Sequence, residues 1–356
     1  MAMLTDFDDK IIQYSNSINE IGLMEGKMGA CLYFFIVGKV QDKKHFTKQG
    51  ELLLDEVFER VSISTPTNFA NGLAGIGWAV EYLIQSNLVK GNSDVILEEI
   101  DNCILKTLTL DDGLDIDFTD GLIGYLFYFI QRLKSERKSG KSIAFELNRE
   151  LLILTLNRID QKYLSSAHPI TDDIQFDFFQ NYPYLIRLLG FAFGLNIFNT
   201  KIERMVNELF RYFETSTHGL NTNRLHLVLE IIVLCKKMSI NKWDGLIDNL
   251  LHSIGFEELI KEIDTQCVGI RSGLSGLKYI LSNATYILPI DNIYQIKAFK
   301  SLSSLPEVAI GSLFEAKEIS LEKICLSNGV MGAMLFELLG TSSSGIKDNI
   351  INPFLF

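Results

Sequence analysis

The sequence predicts an all-α fold of seven helical hairpins on three observations: glycine pairs recur at near-constant spacing, an apolar run follows each pair, and amphipathic stretches separate the runs. The pairs are Gly26-Lys27-Met28-Gly29, Gly72-Leu73-Ala74-Gly75, Gly121-Leu122-Ile123-Gly124, Gly273-Leu274-Ser275-Gly276 and Gly329-Val330-Met331-Gly332. Neighbouring second glycines lie 46, 49 and 56 residues apart, and the remaining interval of 152 residues has room for two further units. Repeats of about fifty residues cannot bury their apolar faces singly, so they must stack on one another. No Pro-, Gly- or Ser-rich linker interrupts them, and residues 1–356 are expected to form a single domain.

The chain starts with Asp6, Asp8 and Asp9 ahead of any apolar stretch, the reverse of the basic start of a secretion signal, which predicts a cytoplasmic protein. The glycine pairs then open runs over 30–37, 76–84, 125–130 and 333–339 that are apolar almost all round. Such helices are buried on every side. Residues 50–60, 94–104, 145–159 and 201–213 carry one apolar face at helical spacing and are expected to lie outside. Alternation of the two kinds describes two concentric layers, an α/α toroid, or else a superhelical stack of hairpins. The fourth and fifth units fall at 176–189, where Pro183 suits a first helical turn, and at 221–234; both lack the glycine pair. Segments 61–65 and 286–290 are the only strand-like pieces, and 287–313, with Pro289 and Pro306, reads as a loop between the last two units.

Composition narrows the function. Apolar runs fall short of the ~20 residues of a membrane span, so no membrane insertion is expected. Five cysteines, Cys31, Cys103, Cys235, Cys267 and Cys325, with no C-x-x-C pair, suggest free thiols. A net charge of −11 disfavours nucleic acid and anionic membranes as partners, since both require a basic surface.

The residue before each first glycine is polar: Glu25, Asn71, Asp120, Ser272 and Asn328. One reading is helix capping, in which a side-chain oxygen accepts a free amide of the first turn. The other places these residues, with Asn181 and Asn221, around a shared basin at the helix N-termini, where negative charge is favoured. Glu25 and Asp120 are the carboxylates of the set, with Asp117 just upstream, and they read as an acid and base or as solvated loop acids.

Hairpins opened by Gly-x-x-Gly, from Gly22-Leu23-Met24-Glu25-Gly26 to Leu326-Ser327-Asn328-Gly329, resemble the lanthionine synthetase C-like family over essentially the whole chain. The resemblance implies an α/α toroid that adds a cysteine thiol of a modified peptide across a dehydroalanine or dehydrobutyrine. It also implies, in zinc-dependent members, a metal held by two cysteines and a histidine just before the glycines of units five and six. Here Arg271 and Ser272 stand where Cys and His would be, unit five has no cysteine around 221–224, and the unit-four histidine is matched only by Asn181-Tyr182. Without thiolate ligands no such zinc site can be assembled, and neither a metal nor a cofactor is expected. Cys267, Cys325, His218 and His226 lack the spacing to rebuild it.

Zinc-free branches of the family exist, so the resemblance still allows cyclisation. Arg271 then stabilises a thiolate or enolate electrostatically, or else braces a carboxylate such as Asp120. The candidate catalytic residues are Asp120, Glu25 and Arg271, and the candidate substrate-binding residues are Asn71, Ser272, Asn328, Asn181 and Tyr182. Phe176, Phe178, Phe179, Tyr182 and Tyr184 form either core packing or a peptide-binding wall. Three functions fit: a zinc-free cyclase or substrate-holding protein in peptide maturation, a scaffold that binds a partner protein, and a glycan-active enzyme using Glu25 and Asp120.

Overall fold

The computed structural model describes residues 2–134, 142–164, 175–215, 219–288 and 324–340. Residues 289–313 of the expected loop, and His218, lie outside them. Among the described residues every regular element is helical: α1 (Ala2–Ser17), α2 (Lys27–Val40), α3 (Lys44–Arg60), α4 (Leu73–Gln85), α5 (Ser93–Ile96), α6 (Glu98–Leu110), α7 (Leu122–Leu133) and α8 (Ile143–Ile159). Then follow α9 (Asn181–Gly194), α10 (Asn199–Thr215), α11 (Asn221–Met238), α12 (Asp244–His252), α13 (Leu274–Ile287) and α14 (Val330–Gly340). A π-helical turn (Asp160–Leu164) extends α8, and a 3-10 turn (Leu259–Glu262) precedes α13. No described helix is long and apolar enough to cross a membrane.

Contacts divide the chain into two compact units. The first comprises the described parts of 1–100, 264–279 and 303–356. In it α2 packs against α3, α4 and α14, so the last hairpin of the chain meets the first. α2 buries every residue from Lys27 to Gly38 and α4 every residue from Leu73 to Ile84, as their all-round apolar sequences require. α3 buries only Phe46, Gln49, Gly50, Leu53, Leu54 and Val57, one stripe at three- and four-residue spacing.

The second unit comprises the described parts of 101–263 and 280–302. There α7, α9 and α11 are successive neighbours, with α8 on α7, α10 on α9 and α12 on α11. Asp101 of α6 and Arg132 of α7 form a fully buried ion pair, Nη2 to Oδ2 2.7 Å. Tyr128 Oη donates to Asp101 Oδ1 at 2.5 Å and Asn148 Nδ2 to Oδ2 at 3.0 Å, tying three helices to one carboxylate.

Several boundaries differ from the sequence reading. α3 begins at Lys44, ahead of the Gly50 start, and the 94–104 segment breaks into α5 and α6 at Leu97, while the Asn92 side chain caps the start of α5 by accepting from the amide of Asp94 at 3.1 Å. The strand-like 61–65 piece is a turn closed by Thr65 N–H to Ser62 O, 3.0 Å. Pro183 does lie in the first turn of α9.

Candidate functional site

Each glycine pair builds the same loop. In the first unit the amide of Lys27 donates to Glu20 O (2.8 Å), Leu73 to Pro66 O (2.8 Å), Leu274 to Cys267 O (2.9 Å) and Met331 to Ile324 O (3.3 Å). In the second, Leu122 donates to Asp115 O at 2.8 Å. Every one of these bonds reaches back seven residues, so the loop folds across the start of its helix and covers the first-turn amides with its own carbonyls. The capping expectation is corrected here: the N-cap positions of α2, α4 and α7 are Gly26, Gly72 and Gly121, with no side-chain cap bond. Glu25, Asn71 and Asp120 sit one residue too early to cap. The same bonds occupy the amides that an anion would have used.

Close approach explains the glycines. A Cβ on Gly26 would lie 2.6 Å from Gly22 O and 2.8 Å from Glu20 O, and one on Gly29 would lie 2.2 Å from Leu23 O. None of the three contacts is tolerable, and all three oxygens belong to backbone that is already bonded into the loops.

In the first unit the loops are also tied to one another. Ile270 and Arg271 amides donate to Ser327 O (2.8 and 2.9 Å), Leu326 and Ser327 amides to Met24 O (3.2 and 3.1 Å), and Leu23 and Met24 amides to Ala70 O (3.0 and 2.9 Å). One carbonyl per loop thus takes two amides of the preceding repeat, running from the sixth through the seventh and first to the second. Side chains reinforce this rim. Asn328 Oδ1 accepts from Ser272 Oγ (3.0 Å) and Ser272 N (3.3 Å), and the Cys267 thiol lies 3.6 Å from Ser272 Oγ and 3.9 Å from Asn328 O. Arg271, Ser272 and Asn328 are half-buried, whereas Glu25 and Asn71 are exposed. Burial pushes the Cys325 thiol up; bonds from Asn328 and Ser327 oppose this, and the charge of Glu25 adds to it.

The second unit holds the other candidates. Asp120 is exposed and accepts from Thr119 Oγ1 at 3.2 Å. Asp117 is committed to the loop: its Oδ1 takes Thr119 N (2.6 Å), Asp120 N (2.9 Å) and the Thr119 hydroxyl. Asn181 and Asn221 are the first residues of α9 and α11, so they correspond to the position after a first glycine and not before it. The Tyr182 ring is buried against Tyr212 and Phe213 at 5.6 and 5.1 Å. Phe178, Phe179 and Tyr184 are likewise buried, with Phe179 stacked on Phe118 at 4.9 Å, so these rings are core.

Sequence reasoning missed Glu262, which replaces the lost loop of repeat five. Its Oε1 accepts from Asn221 N (2.9 Å) and Nδ2 (2.7 Å), and its Oε2 from Thr222 N and Oγ1 (both 2.9 Å), so a carboxylate caps α11. Only tertiary structure brings the 3-10 turn to this helix, and no local motif announces it.

Behind this cap His226 is buried, stacked on Phe178 at 5.2 Å, with Nε2 3.8 Å from Glu230, which pairs with Arg187. Burial first, and Arg187 second, hold the imidazole well below its ordinary value, so it is neutral in the folded chain. The unfolded chain takes up a proton below about pH 6.5 that the folded chain refuses, so stability is lost as pH falls. We expect the gap in urea midpoint between pH 7.5 and pH 5.0 to shrink in His226→Asn; an unchanged gap would show that His226 contributes none of it.

A family model described as lanthionine synthetase C-like protein matches residues 17–195. The chain belongs to the lanthionine synthetase C-like family. Among solved structures nisin cyclase aligns with a TM-score of 0.70 at 14% identity, over 97% of this chain and 96% of that one. At that identity the likeness carries the fold, an α/α toroid, as the alternation of buried and amphipathic helices led us to expect. No curated protein sequence matches.

The residues present do not fit the zinc site of the lanthionine synthetase C-like family. Arg271 and Ser272 fill the unit-six positions, and the nearby Cys267 thiol is turned to Ser272 and Asn328. Among the described residues no three His, Cys, Asp or Glu side chains are grouped to hold a metal ion.

Proposed function

We propose that this chain, as one domain over residues 1–356, acts on or holds a peptide during lanthionine-type thioether maturation without zinc. Family membership carries this reading, and the loop rim in which Arg271, Ser272 and Asn328 meet supports its placement. In the reaction a peptide cysteine sulfur bonds to the β-carbon of a dehydroalanine or dehydrobutyrine. The electron pair of the double bond moves to the α-carbon as an enolate, which then takes a proton, so the thiol proton is conserved overall. Arg271 would stabilise the thiolate and enolate, Glu25 would move the proton, and Asn71, Ser272 and Asn328 would hold the peptide.

Thiol alkylation followed by mass spectrometry tests this, because cyclisation leaves peptide mass unchanged while consuming alkylatable cysteines. With a dehydrated precursor peptide we expect thiols to disappear, chelator to have no effect, and Arg271→Ala to slow the loss by about 100-fold or more, as for one removed oxyanion donor. The second reading, a scaffold for a partner protein, draws support from the way Ser272 and Asn328 cross-link loops. Under it the peptide or partner binds while thiols persist, and Arg271→Ala leaves binding intact. A glycan-active enzyme would need Glu25 and Asp120 as its acid and base.

A further inference from the structure

In the first unit the side chain of Asn328, just before its glycine pair, is held by the residue at the same place in the neighbouring repeat. Ser272 N and Ser272 Oγ both donate to Asn328 Oδ1, at 3.3 and 3.0 Å. Because a backbone N–H can only donate, its partner must be the amide oxygen, and this bond decides which way the carboxamide faces. The NH2 end is left over. Asn328 Nδ2 has no acceptor among the described residues and is not buried, so it is a donor open to the rim. Ser272 is in the opposite condition: its one hydroxyl proton goes to Asn328, and the Cys267 thiol, 3.6 Å away, is placed to donate to its oxygen. The backbone under Asn328 is held as firmly. A Cβ on Gly269 would collide with the Cα and carbonyl carbon of Asn328, and Ser327 O just before it takes the amides of Ile270 and Arg271 at 2.8 and 2.9 Å. Asn71 sits over Gly22 in the same way, but it is exposed and no hydrogen bond among the described residues fixes its side chain.

Resting on the thioether reaction proposed above, we infer that Asn328 Nδ2 donates to the carbonyl oxygen of the dehydroamino acid, where enolate charge collects, and that Ser272 is a positioning residue acting through Asn328. A carbonyl or enolate oxygen is the complement of a free NH2 group. A donor aimed in advance also stabilises charge as it develops without having to reorganise. The peptide sulfur still bonds to the β-carbon, and the electron pair of the double bond still moves to the α-carbon and its carbonyl oxygen. Asn328 gives up no proton in this step; its hydrogen bond strengthens as the oxygen becomes negative.

The test follows thiol loss from a dehydrated precursor peptide, at limiting and saturating peptide, for the full chain and for Asn328→Asp, Ser272→Ala and Ser272→Thr, with a urea midpoint for each. Asn328→Asp keeps the size of the side chain and an oxygen for Ser272 but removes the NH2 group. We expect its kcat to fall about 100-fold or more while KM changes less than about threefold. Ser272→Ala keeps the backbone bond to Oδ1 and should lower kcat about 3- to 10-fold, with Ser272→Thr restoring it. Unchanged kcat in Asn328→Asp, or a loss confined to KM, would overturn the assignment, as would a Ser272→Ala defect as deep as that of Asn328→Asp. Should Asn328→Asp fail to fold, the two Ser272 variants decide alone, and equal rates for them overturn it. An unaltered chain that consumes no thiols sinks the maturation reading itself, and this assignment falls with it.

Discussion

Arg132→Met is expected to destabilise the protein by about 3–5 kcal/mol, the usual cost of leaving one partner of a buried ion pair without the other. Both members are removed from water, Arg132 at 0% and Asp101 at 1% side-chain exposure, so solvent cannot screen the orphaned carboxylate. Tyr128 and Asn148 still donate to Asp101 in the variant, but two neutral donors do not balance a full charge at this depth. Removing both charges in Asp101→Leu/Arg132→Met should recover part of the loss, because the pair repays little more than its own desolvation. Urea unfolding of the three proteins checks this. A single-variant loss below about 1 kcal/mol, or a double variant worse than Arg132→Met, would show that the network is hydrated or that Asp101 holds the helices chiefly through Tyr128 and Asn148.

What the sequence could reveal follows from how local each cause is. The glycine pairs, the all-round apolar runs and the stripes of α3 and α10 are written within single elements, so the two kinds of helix can be read directly. The head of α11 cannot, because Glu262 reaches it from 40 residues away and contributes no pattern of its own. The register of units four and five slipped for the same reason. Without glycines to mark the helix start, Asn181 and Asn221 looked like flanking residues, whereas they begin their helices. Among the candidate site residues, Ser272 and Asn328 are placed by their equal positions in neighbouring repeats only around a common basin. That they would spend their side chains on each other depends on loop-to-loop bonds that periodicity does not encode.

The glycines themselves offer the sharpest contrast. Gly75→Ala is expected to cost about 2–4 kcal/mol, combining overpacking with the loss of capping bonds. Its Cβ would stand 1.9 Å from Phe69 O and 3.0 Å from Leu23 Cβ. The carbonyl cannot retreat freely, because the same loop gives Pro66 O to Leu73 N and Thr67 O to Ala74 N. Gly245→Ala, in the first turn of α12, meets nothing within 4 Å and should be neutral or stabilising by up to about 1 kcal/mol, as alanine restricts the unfolded chain. An identical chemical change thus takes opposite signs at two helix starts, according to whether a loop folds over them. Thermal or urea midpoints of the two variants decide between two roles for the repeated pair. If Gly75→Ala folds with unchanged stability but fails to bind peptide, the glycines serve a ligand. If it loses stability while Gly245→Ala does not, they serve the loops, and the repeat that makes the family legible in this sequence is first a device for closing helix ends.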